Sequence, residues 1–373
     1  MISRILEERI PDAIQLKKVV VLLGARQVGK TTLLKKIIAK NKNVKVINGD
    51  EPDAIEQLSD LSSDRMQTNF GTTKTLIIDE AQMIPDIGII LKRIADYIDD
   101  VQLFVSGSSS LELANSVNEP LTGRKIEYDI FPLSFKEMVN HTSLTEEKRL
   151  LPHRMIFGYY PEIVTTPGHE IKLLKNLAGS YLYKDILSFG TMKKPALLDK
   201  LLKALALQIG SEVSYNELSQ MVGADKETVE RYINLLEKAF IIFKLNALSR
   251  NARNEIKKGK KIYFYDNGIR NALIGNFQQF EMRTDKGALW ENFIVSERMK
   301  FLSYNEFYGN VYFWRTFRQQ EIDFIEEKDG MFSAYEFKLN NKKKARFSKT
   351  FTEAYPVKET ATISPGNIEE FLL

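Results

Sequence analysis

The chain has 373 residues, more than the roughly 100 to 200 of one ordinary domain, so we expect two or three domains. Hydrophobic residues make up 43% and charged residues 27%, which excludes a largely disordered or fibrous chain. Cysteine is absent, which excludes disulfides and thiolate metal sites, and the net charge of +4 does not by itself indicate nucleic-acid binding. No stretch reads as a secretory signal or a membrane span, so we expect a cytoplasmic protein without a membrane partner.

The first 130 residues alternate short apolar runs with longer amphipathic stretches. The apolar runs are KVVVLLG, VKVIN, TLIIDE and VQLFVSG, and the amphipathic stretches include TTLLKKIIAK and IGIILKRIADYIDD. Because strands that alternate with helices along a chain usually pair in parallel, this region predicts a parallel sheet covered by helices.

A phosphate-binding loop follows the first apolar run. Gly24, Gly29, Lys30 and Thr31 fit the pattern G-x-x-x-x-G-K-[ST], between a predicted buried strand and a predicted helix. In such a loop, backbone N–H groups approach phosphate oxygens, the lysine reaches the β and γ phosphates, and the hydroxyl holds Mg²⁺. The sequence therefore predicts ATP and Mg²⁺ as cofactors. The expected nucleotide contacts in the loop are Gly24, Ala25, Arg26, Gln27, Val28, Gly29, Lys30, Thr31 and Thr32.

An acidic pair ends another predicted buried strand. The residues Thr75 to Ile78 are followed by Asp79 and Glu80, at the carboxyl end of the strand, where open α/β sheets bind ligands. Asp79 suits a ligand of Mg²⁺, and Glu80 suits the base that orients or deprotonates an attacking water. A solvated turn is the alternative for such a pair, but the neighbouring phosphate loop favours the catalytic interpretation.

Two further polar candidates follow in the sequence. The run LFVSGSSS ends in Ser106, Ser108, Ser109 and Ser110, and one of these hydroxyls would contact the γ-phosphate or hold the water. Ser106 is our candidate for the nucleotide site, and a helix-capping turn is the alternative for the serine run. Arg124 is our candidate for the cation that stabilises the transition state, with an ordinary surface arginine as the alternative.

Five motifs resemble the prokaryotic AAA+-like ATPase family, whose members join a P-loop core to a C-terminal domain of unknown function. In chain order the motifs are GARQVGKTTLLKK, TLIIDEAQMIPD, LFVSGSSSLEL, LTGRKIEYDIFPLSFKEM and GYYPEIV. The resemblance runs through nearly the whole chain. It implies that Lys30 and Thr31 of the Walker A motif lie at phosphate and metal. It further implies that Asp79 and Glu80 are the Walker B pair and that Arg124 contributes a polar contact.

Residues 131–195 turn mainly helical and predict a helical lid or linker, broken at GYYPEIVTTPG. Residues 196–261 then predict a winged helix, because two helices flank a tight turn at Gly223. The predicted helix caps are Ser214 with Glu217, and Asp225. The predicted buried positions of the two helices are Leu218, Val222, Val229, Ile233 and Leu236.

The role of this predicted winged helix stays open between DNA binding and an internal adaptor. Its second helix carries Lys226, Arg231 and Lys238 against four acidic residues, so it lacks the positive charge of a groove-reading helix. The predicted wing, residues 250–261, is basic instead, with six Lys or Arg residues against Glu255. Nonspecific contact with DNA or RNA phosphates is one interpretation of this wing, and a solvated hairpin is the other.

The last part of the chain, residues 262–373, returns to strands around one helix. The segment EIDFIEEKDGMFSAYEFKL predicts two strands joined by a two-residue turn at Asp329-Gly330. Such a turn would put Asp323 directly opposite Glu336, with Cβ atoms about 5 Å apart, and Glu321 opposite Lys338 on the same face. A solvated strand face with a salt bridge between Glu321 and Lys338 is the alternative.

The D…E-x-K arrangement of this segment resembles the restriction-endonuclease-like (PD-(D/E)xK) superfamily, although Ile322 stands where that superfamily has a proline. The resemblance implies that Asp323 and Glu336, with Glu291 from the preceding helix, hold a divalent cation. It also implies that Lys338 polarises the attacking water.

Together these patterns predict an α/β fold with four parts. The parts are a P-loop AAA+-like parallel sheet core (residues 1–130), a helical lid or linker (131–195), a winged helix (196–261) and a C-terminal α/β restriction-endonuclease-like domain (262–373). We expect a Mg²⁺-dependent ATPase that couples its nucleotide state to the winged helix and the nuclease-like domain on nucleic acid.

The partners expected from this hypothesis are ATP and DNA or RNA, the nucleic acid being bound through residues 250–261 and the C-terminal domain, and the chain is a candidate homo-oligomer. The alternative is a signalling or protein-remodelling ATPase whose nuclease-like domain is a catalytically inactive docking module. A nucleotide-binding scaffold without turnover is disfavoured by the presence of Glu80.

Overall fold

A computed structural model describes residues 2–39, 41–59, 63–98, 100–107, 120–181, 195–249, 259–316, 318–342 and 345–373. The chain forms two compact units. The first, which we call the N-terminal unit, comprises Met1–Pro132 and Lys238–Phe240. The second, which we call the C-terminal unit, comprises Leu133–Glu237 and Ile241–Leu373.

The N-terminal unit is built on a five-stranded sheet with the order β2-β3-β4-β1-β5, and all its neighbouring strands are parallel. The strands are β1 (Val19–Leu23), β2 (Val44–Asn48), β3 (Thr75–Asp79), β4 (Gln102–Gly107) and β5 (Lys125–Asp129). The helices are α1 (Leu6–Gln15), α2 (Lys30–Ile38), α3 (Pro52–Ser59), α4 (Ser63–Phe70) and α5 (Ile87–Tyr97).

This sheet follows directly from the apolar runs of the sequence. Every residue of β1 and β3 is buried, as expected for strands covered on both faces by helices. The predicted parallel sheet is therefore confirmed. Strand β5 was not predicted, because its sequence KIEYD is half polar. A half-polar strand is tolerated here because β5 is the outermost strand of the sheet. Because the strands are parallel, the loops after β1, β3 and β4 all leave the same edge of the sheet.

The C-terminal unit begins with helices and continues into a mixed seven-stranded sheet with the order β12-β11-β10-β9-β7-β8-β6. Its first helices are α6 (Phe135–His141), α7 (Leu144–Phe157), α8 (Pro161–Thr165), α9 (Glu170–Asn176) and α10 (Pro195–Leu207). They are followed by β6 (Glu212–Val213), α11 (Tyr215–Val222), α12 (Lys226–Lys238), β7 (Ile242–Ala247) and β8 (Lys260–Phe264).

The remaining elements of this unit are α13 (Asn267–Leu273), α14 (Lys286–Tyr304), β9 (Asn310–Arg315), β10 (Glu321–Lys328), β11 (Met331–Phe337), α15 (Lys349–Thr352), β12 (Val357–Ile363) and α16 (Glu369–Leu372). The two strands predicted on either side of Asp329-Gly330 are confirmed as β10 and β11, and the long helix expected in this region is α14. Strands β6 and β12 were not predicted.

The helix pair α11 and α12 agrees with its sequence pattern. Ser214 accepts a hydrogen bond from the Glu217 N–H, and Asp225 accepts one from the Thr228 N–H. Helix α11 ends at Gly223 in the left-handed conformation, the usual role of glycine after a helix. The predicted apolar positions are all buried, namely Leu218, Val222, Val229, Ile233 and Leu236.

One sheet runs through the segments that the sequence divides into a winged helix and a C-terminal domain. Strand β8 pairs with β6 and with β7, and β7 pairs in parallel with β9. The expected boundary between residues 261 and 262 therefore falls inside β8. The sequence does not indicate this continuity, because strand pairing between distant segments has no local signal.

None of the helices within the described residues is both long enough and apolar enough to cross a membrane.

The end of helix α7 offers a test of backbone constraint in the C-terminal unit. Gly158 has φ 72° and ψ −160°, a region that only glycine occupies readily, and an added Cβ would lie 2.1 Å from Asp266 Oδ1. Gly223 has the same φ of 72°, but an added Cβ would meet nothing within 4 Å. We expect Gly158→Ala to destabilise the unit by about 3 kcal/mol or more, and Gly223→Ala by about 1 kcal/mol.

Thermal unfolding of the two variants beside the parent measures this difference. Both substitutions impose a left-handed φ on alanine, but Gly158 has ψ −160° and Gly223 has ψ 44°. The excess loss in Gly158→Ala therefore measures the collision with Asp266 together with the less favourable ψ of Gly158. Equal melting temperatures for the two variants would contradict the assigned packing.

Candidate active site and a C-terminal carboxylate cluster

The phosphate loop connects β1 to α2 at the carboxyl edge of the parallel sheet. Gly29 has φ 98° and Gln27 has φ 61°, so the backbone turns sharply just before the helix begins. An added Cβ on Gly24 would lie 2.1 Å from Ile130 O, so only glycine fits against the segment that follows β5. Both glycines of the pattern are therefore required by geometry, and the positive end of α2 faces the loop.

Lys30 is the first residue of α2 and is only 5% exposed. Its Nζ donates to Gly24 O at 2.7 Å and to Ala25 O at 2.8 Å. These hydrogen bonds hold the ammonium inside the curve of the loop. A phosphate chain wrapped by the loop would meet this positive charge, as the sequence predicts.

A hydroxyl from each of two neighbouring segments converges on Asp79, the last residue of β3. Thr31 Oγ1 donates to Asp79 Oδ2 at 2.7 Å, and Ser106 Oγ, at the end of β4, donates to Asp79 Oδ1. The N–H of Glu80 also donates to Asp79 Oδ1, at 3.1 Å. Thr31 and Asp79 thus present two oxygen ligands side by side, which fits the preference of Mg²⁺ for hard oxygen donors.

Glu80 is held in an unusual backbone conformation beside this pair. Its φ of 49° and ψ of 41° lie in the left-handed region, which costs a non-glycine residue on the order of 1 kcal/mol. Its Oε2 accepts a hydrogen bond from Gln82 Nε2 at 2.6 Å. An added Cβ on Gly49 would lie 2.4 Å from Glu80 O, so a close neighbour supports the turn. Such strain concentrates at functional sites, and the role of Glu80 as the base stays a prediction.

The structure does not bring Arg124 to the phosphate loop of its own chain. The adjacent Lys125 pairs with Val19, the first residue of β1. The phosphate loop begins after Leu23, the last residue of β1, and therefore lies at the other end of the strands. Arg124 instead forms an ion pair with Asp96 and is about half exposed. Of the predicted serines, Ser106 lies at the site, and Ser108, Ser109 and Ser110 lie outside the described residues.

Arg4 contacts the phosphate loop, although no sequence motif includes it. Its guanidinium donates to Val28 O at 2.6 Å and to Phe131 O at 2.7 Å. No local pattern marks a lone arginine before the first helix, so only the tertiary contact shows its position.

The hairpin of β10 and β11 confirms the predicted two-residue turn. Lys328 pairs with Met331, and Asp329 and Gly330 both have positive φ, at 53° and 75°. The ladder continues to the pair Phe324 and Tyr335. The ladder ends there, one step before Asp323 and Glu336, so the direct pairing of these two residues stays a prediction.

A bulge in β10 changes the geometry on the other side of the strand. Between Ile322 and Ile325 the pairing with β9 shifts by one residue, and both isoleucines enter the same core cluster. Strict alternation, on which the shared face of the four polar residues depends, therefore fails at Asp323. Glu321 pairs with Lys261, at 2.6 Å, and approaches Arg315, at 4.0 Å, so the alternative salt bridge to Lys338 is replaced by other partners.

Each predicted metal ligand of this cluster has a partner within the chain. Glu291 Oε1 accepts from Lys261 Nζ at 3.0 Å and from the Tyr263 hydroxyl at 2.7 Å. Glu336 Oε2 accepts from Lys338 Nζ at 2.7 Å. Asp323 Oδ2 accepts from the Phe337 N–H at 2.8 Å. Within the described residues no group of three or more Asp, Glu or His side chains is arranged to hold a metal ion.

Mutual repulsion and burial dominate the electrostatics of this carboxylate cluster. Burial, followed by the charges of Glu291 and Glu336, raises the pKa of Asp323 to about 7. Burial alone would lower the pKa of Lys261, but Glu291 and Glu321 outweigh it, and the pKa is raised. Lys261, counted in the predicted basic wing, is 2% exposed and belongs to this cluster instead.

Three segments of the chain match known domain families. Residues 16–139 match the AAA domain, residues 148–279 match a domain of unknown function (DUF8612), and residues 286–370 match a second domain of unknown function (DUF4143). The AAA match covers the phosphate loop, Asp79, Glu80 and Ser106. The fold, the site and this match define the N-terminal unit as a P-loop ATPase domain of the AAA type.

Two relatives match most of this chain and about three quarters of their own length. An uncharacterized protein of Mycobacterium tuberculosis is 26% identical over 335 residues, which cover 88% of this chain and 72% of the relative. An uncharacterized protein of Methanocaldococcus jannaschii is 26% identical over 367 residues, which cover 90% of this chain and 78% of the relative. The similarity therefore includes the C-terminal unit as well as the ATPase domain.

Among solved structures, the Walker-type ATPase of Pyrococcus abyssi is similar with a TM-score of 0.51 and 15% identity, over 74% of this chain and 96% of that protein. At this identity the similarity shows the fold alone.

Proposed function

We propose that the protein is a Mg²⁺-dependent ATPase whose nucleotide cycle acts on a winged helix and a nuclease-like domain in the C-terminal unit. The observation that carries the ATPase proposal is the 2.7 Å hydrogen bond from Thr31 Oγ1 to Asp79 Oδ2. It joins the Walker A helix to the Walker B strand at the edge where the phosphate loop opens. Thr31 and Asp79 are the residues that would hold Mg²⁺ in a P-loop ATPase.

The residues of the site divide the chemistry among them. Lys30 binds the β and γ phosphates, and Thr31 with Asp79 would hold Mg²⁺, which when bound neutralises charge on the phosphate oxygens. Ser106 orients Asp79 by donating to its second oxygen. Glu80, one residue beyond Asp79, orients the attacking water and accepts its proton. Arg124 lies at the end of the strands opposite to the phosphate loop, so a contribution from Arg124 would require a second copy of the chain.

The winged-helix proposal rests on the order of elements in the C-terminal unit. Helix α10, strand β6, helices α11 and α12 and the strands β7 and β8 follow one another, and β8 lies between β7 and β6. Lys260 lies 5.6 Å from the Tyr215 ring, and residues 250–258 of the predicted wing lie outside the described residues. The proposed partner is DNA or RNA, contacted through phosphates.

Replacing the phosphate-loop lysine tests the nucleotide site. We expect Lys30→Ala to weaken ATP binding at least about tenfold, because a charge-assisted contact to phosphate is lost. Isothermal titration calorimetry with ATP and Mg²⁺ measures the change. Lys35→Ala, an exposed lysine on the same helix, serves as the matched control and should bind like the parent. Unchanged affinity in Lys30→Ala would show that the nucleotide binds elsewhere.

Replacing the proposed base separates binding from turnover. We expect Glu80→Gln to bind ATP with nearly the affinity of the parent but to hydrolyse it about a hundredfold more slowly, because glutamine accepts no proton from water. Single-turnover phosphate release measures the rate, with Glu56→Gln on helix α3 as the control. Parental turnover in Glu80→Gln would assign the base to another residue.

A second candidate function is metal-dependent cleavage of nucleic acid by Asp323, Glu336 and Glu291, with Lys338 as the group that polarises water. The observation that favours it is the hydrogen bond from the Phe337 N–H to Asp323 Oδ2, which joins Asp323 of β10 to the residue that follows Glu336 on β11. Against it stand the ion pairs of Glu291 and Glu336, which a metal would have to displace. The competing role is an inactive docking module of a signalling or protein-remodelling ATPase.

A cleavage assay decides between these two roles. If the cluster is a nuclease, DNA or RNA should be cleaved with Mg²⁺ or Mn²⁺, and Lys338→Ala should lower the rate about a hundredfold or more. Lys328→Ala, an exposed lysine on the same hairpin, should cleave like the parent. Equal products from the parent and Lys338→Ala, or no cleavage by either, would favour the docking module.

A further inference from the structure

Arg4 donates a hydrogen bond to a backbone carbonyl of the phosphate loop. The residue precedes helix α1 and is 8% exposed. Its Nη1 donates to Val28 O at 2.6 Å, and its Nη2 donates to Phe131 O at 2.7 Å. An added Cβ on Gly29 would lie 3.6 Å from Nη1, so the guanidinium lies directly against the loop. One side chain therefore joins the loop to the segment that follows β5.

The hydrogen bond to Val28 O also constrains the direction of the next backbone N–H, that of Gly29. Val28 O and the N–H of Gly29 belong to one planar trans peptide, and in such a peptide the two groups point in opposite directions. A donor that holds Val28 O on one side therefore sets the direction of the Gly29 N–H on the other. A loop of this pattern turns such N–H groups toward phosphate oxygens. The charged guanidinium also polarises the peptide, which strengthens the N–H as a donor.

The backbone of Arg4 is itself fixed to the helix that follows the loop. The Arg4 N–H donates to Glu7 Oε1 at 2.7 Å, and Glu7 Oε2 pairs with Lys36 Nζ of α2 at 2.6 Å. Lys36 Nζ also donates to Ser3 Oγ at 3.1 Å. Both the backbone and the guanidinium of Arg4 are thus held by hydrogen bonds within the chain, which reduces the ordering that ligand binding would require.

Phe131, the second partner of Arg4, lies where the chain leaves the N-terminal unit, one residue before Pro132. Just upstream, the Ile130 N–H donates to Leu23 O at 2.6 Å. Within the C-terminal unit, Lys300 Nζ donates to Leu133 O at 3.1 Å, and the Phe135 N–H donates to Glu297 Oε2 at 2.6 Å. The chain is thus held by hydrogen bonds on each side of Pro132. Phe131 is only two residues from Leu133, the first residue of the C-terminal unit, so a displacement of Phe131 pulls directly on the backbone there.

We propose that Arg4 positions the Gly29 N–H for phosphate and transmits the state of the loop to Phe131. The proposal rests on the proposed function, because it takes the phosphates of ATP as the ligand of the loop. A phosphate chain competes for the Lys30 ammonium with Gly24 O and Ala25 O, and the loop peptides adjust to it. When Val28 O moves, the guanidinium of Arg4 moves with it, and the hydrogen bond from Arg4 to Phe131 O passes the movement to Phe131. Arg4 contacts no reacting atom and is a positioning residue.

Hydrogen–deuterium exchange of the full chain tests this coupling, with ADP and with the nonhydrolysable analogue AMPPNP, each with Mg²⁺. In the parent we expect AMPPNP to slow exchange several-fold both in residues 24–31 and in residues 130–136. Arg4→Lys keeps the charge, but an ammonium cannot span two carbonyls as the guanidinium fork does. We expect it to bind AMPPNP about tenfold more weakly. At saturating AMPPNP it should retain the protection of residues 24–31 and lose that of 130–136.

Arg9→Lys, on helix α1, is the matched control and should respond like the parent. The coupling is wrong if the parent gains protection in residues 24–31 but not in 130–136, or if Arg4→Lys at saturation shows the parental response in 130–136. Both outcomes leave ATP binding intact. Failure of the proposed function looks different, since the parent then binds no nucleotide and neither segment responds. If Arg4→Lys does not fold, the test is the exchange of the parent alone, in which AMPPNP must protect both residues 24–31 and residues 130–136.

Discussion

The carboxylate of Asp79 is the point at which the ends of three segments meet. It ends β3, accepts the Ser106 hydroxyl from the end of β4, and accepts the Thr31 hydroxyl from the first turn of α2. This convergence is possible only because the strands are parallel, so that their carboxyl ends share one edge. The buried strands supply rigidity, and the polar atoms lie where those strands stop. A site that must hold oxygen atoms within a few tenths of an ångström depends on such a scaffold.

The features that sequence reasoning predicted are those with a local physical cause. The phosphate loop, the pair Asp79 and Glu80, the caps of α11 and α12 and the turn at Asp329-Gly330 each need particular residue types at short spacing. Three features without such a cause were missed. Strand β5 is half polar because it lies at an edge, the bulge at Asp323 depends on pairing with β9, and the contact of Arg4 with Phe131 joins residues 127 apart. Long-range geometry of this kind leaves no periodicity in the chain.

Buried charged side chains hold the first residues of the C-terminal unit in a way that hydrophobic patterning does not indicate. Glu297 and Lys300 on α14 are 2% and 1% exposed and lie 2.6 Å apart. A buried pair of this kind is weak evidence of net stability, because desolvation offsets the attraction between the charges. Its specific effect is directional, since the same two side chains also bind the Phe135 N–H and Leu133 O. The pair therefore fixes the beginning of the unit to one turn of one helix, where an apolar contact would tolerate sliding.

The two acidic sites of the chain differ in what neutralises them. Asp79 accepts hydrogen bonds from hydroxyls and one N–H, which are uncharged groups, so a divalent cation can join the site and add the missing positive charge. Glu291 and Glu336 are bound by the ammonium groups of Lys261 and Lys338, so a cation arriving there must displace another cation. The balance between these carboxylates and these lysines therefore sets how readily the cluster could accept a metal ion.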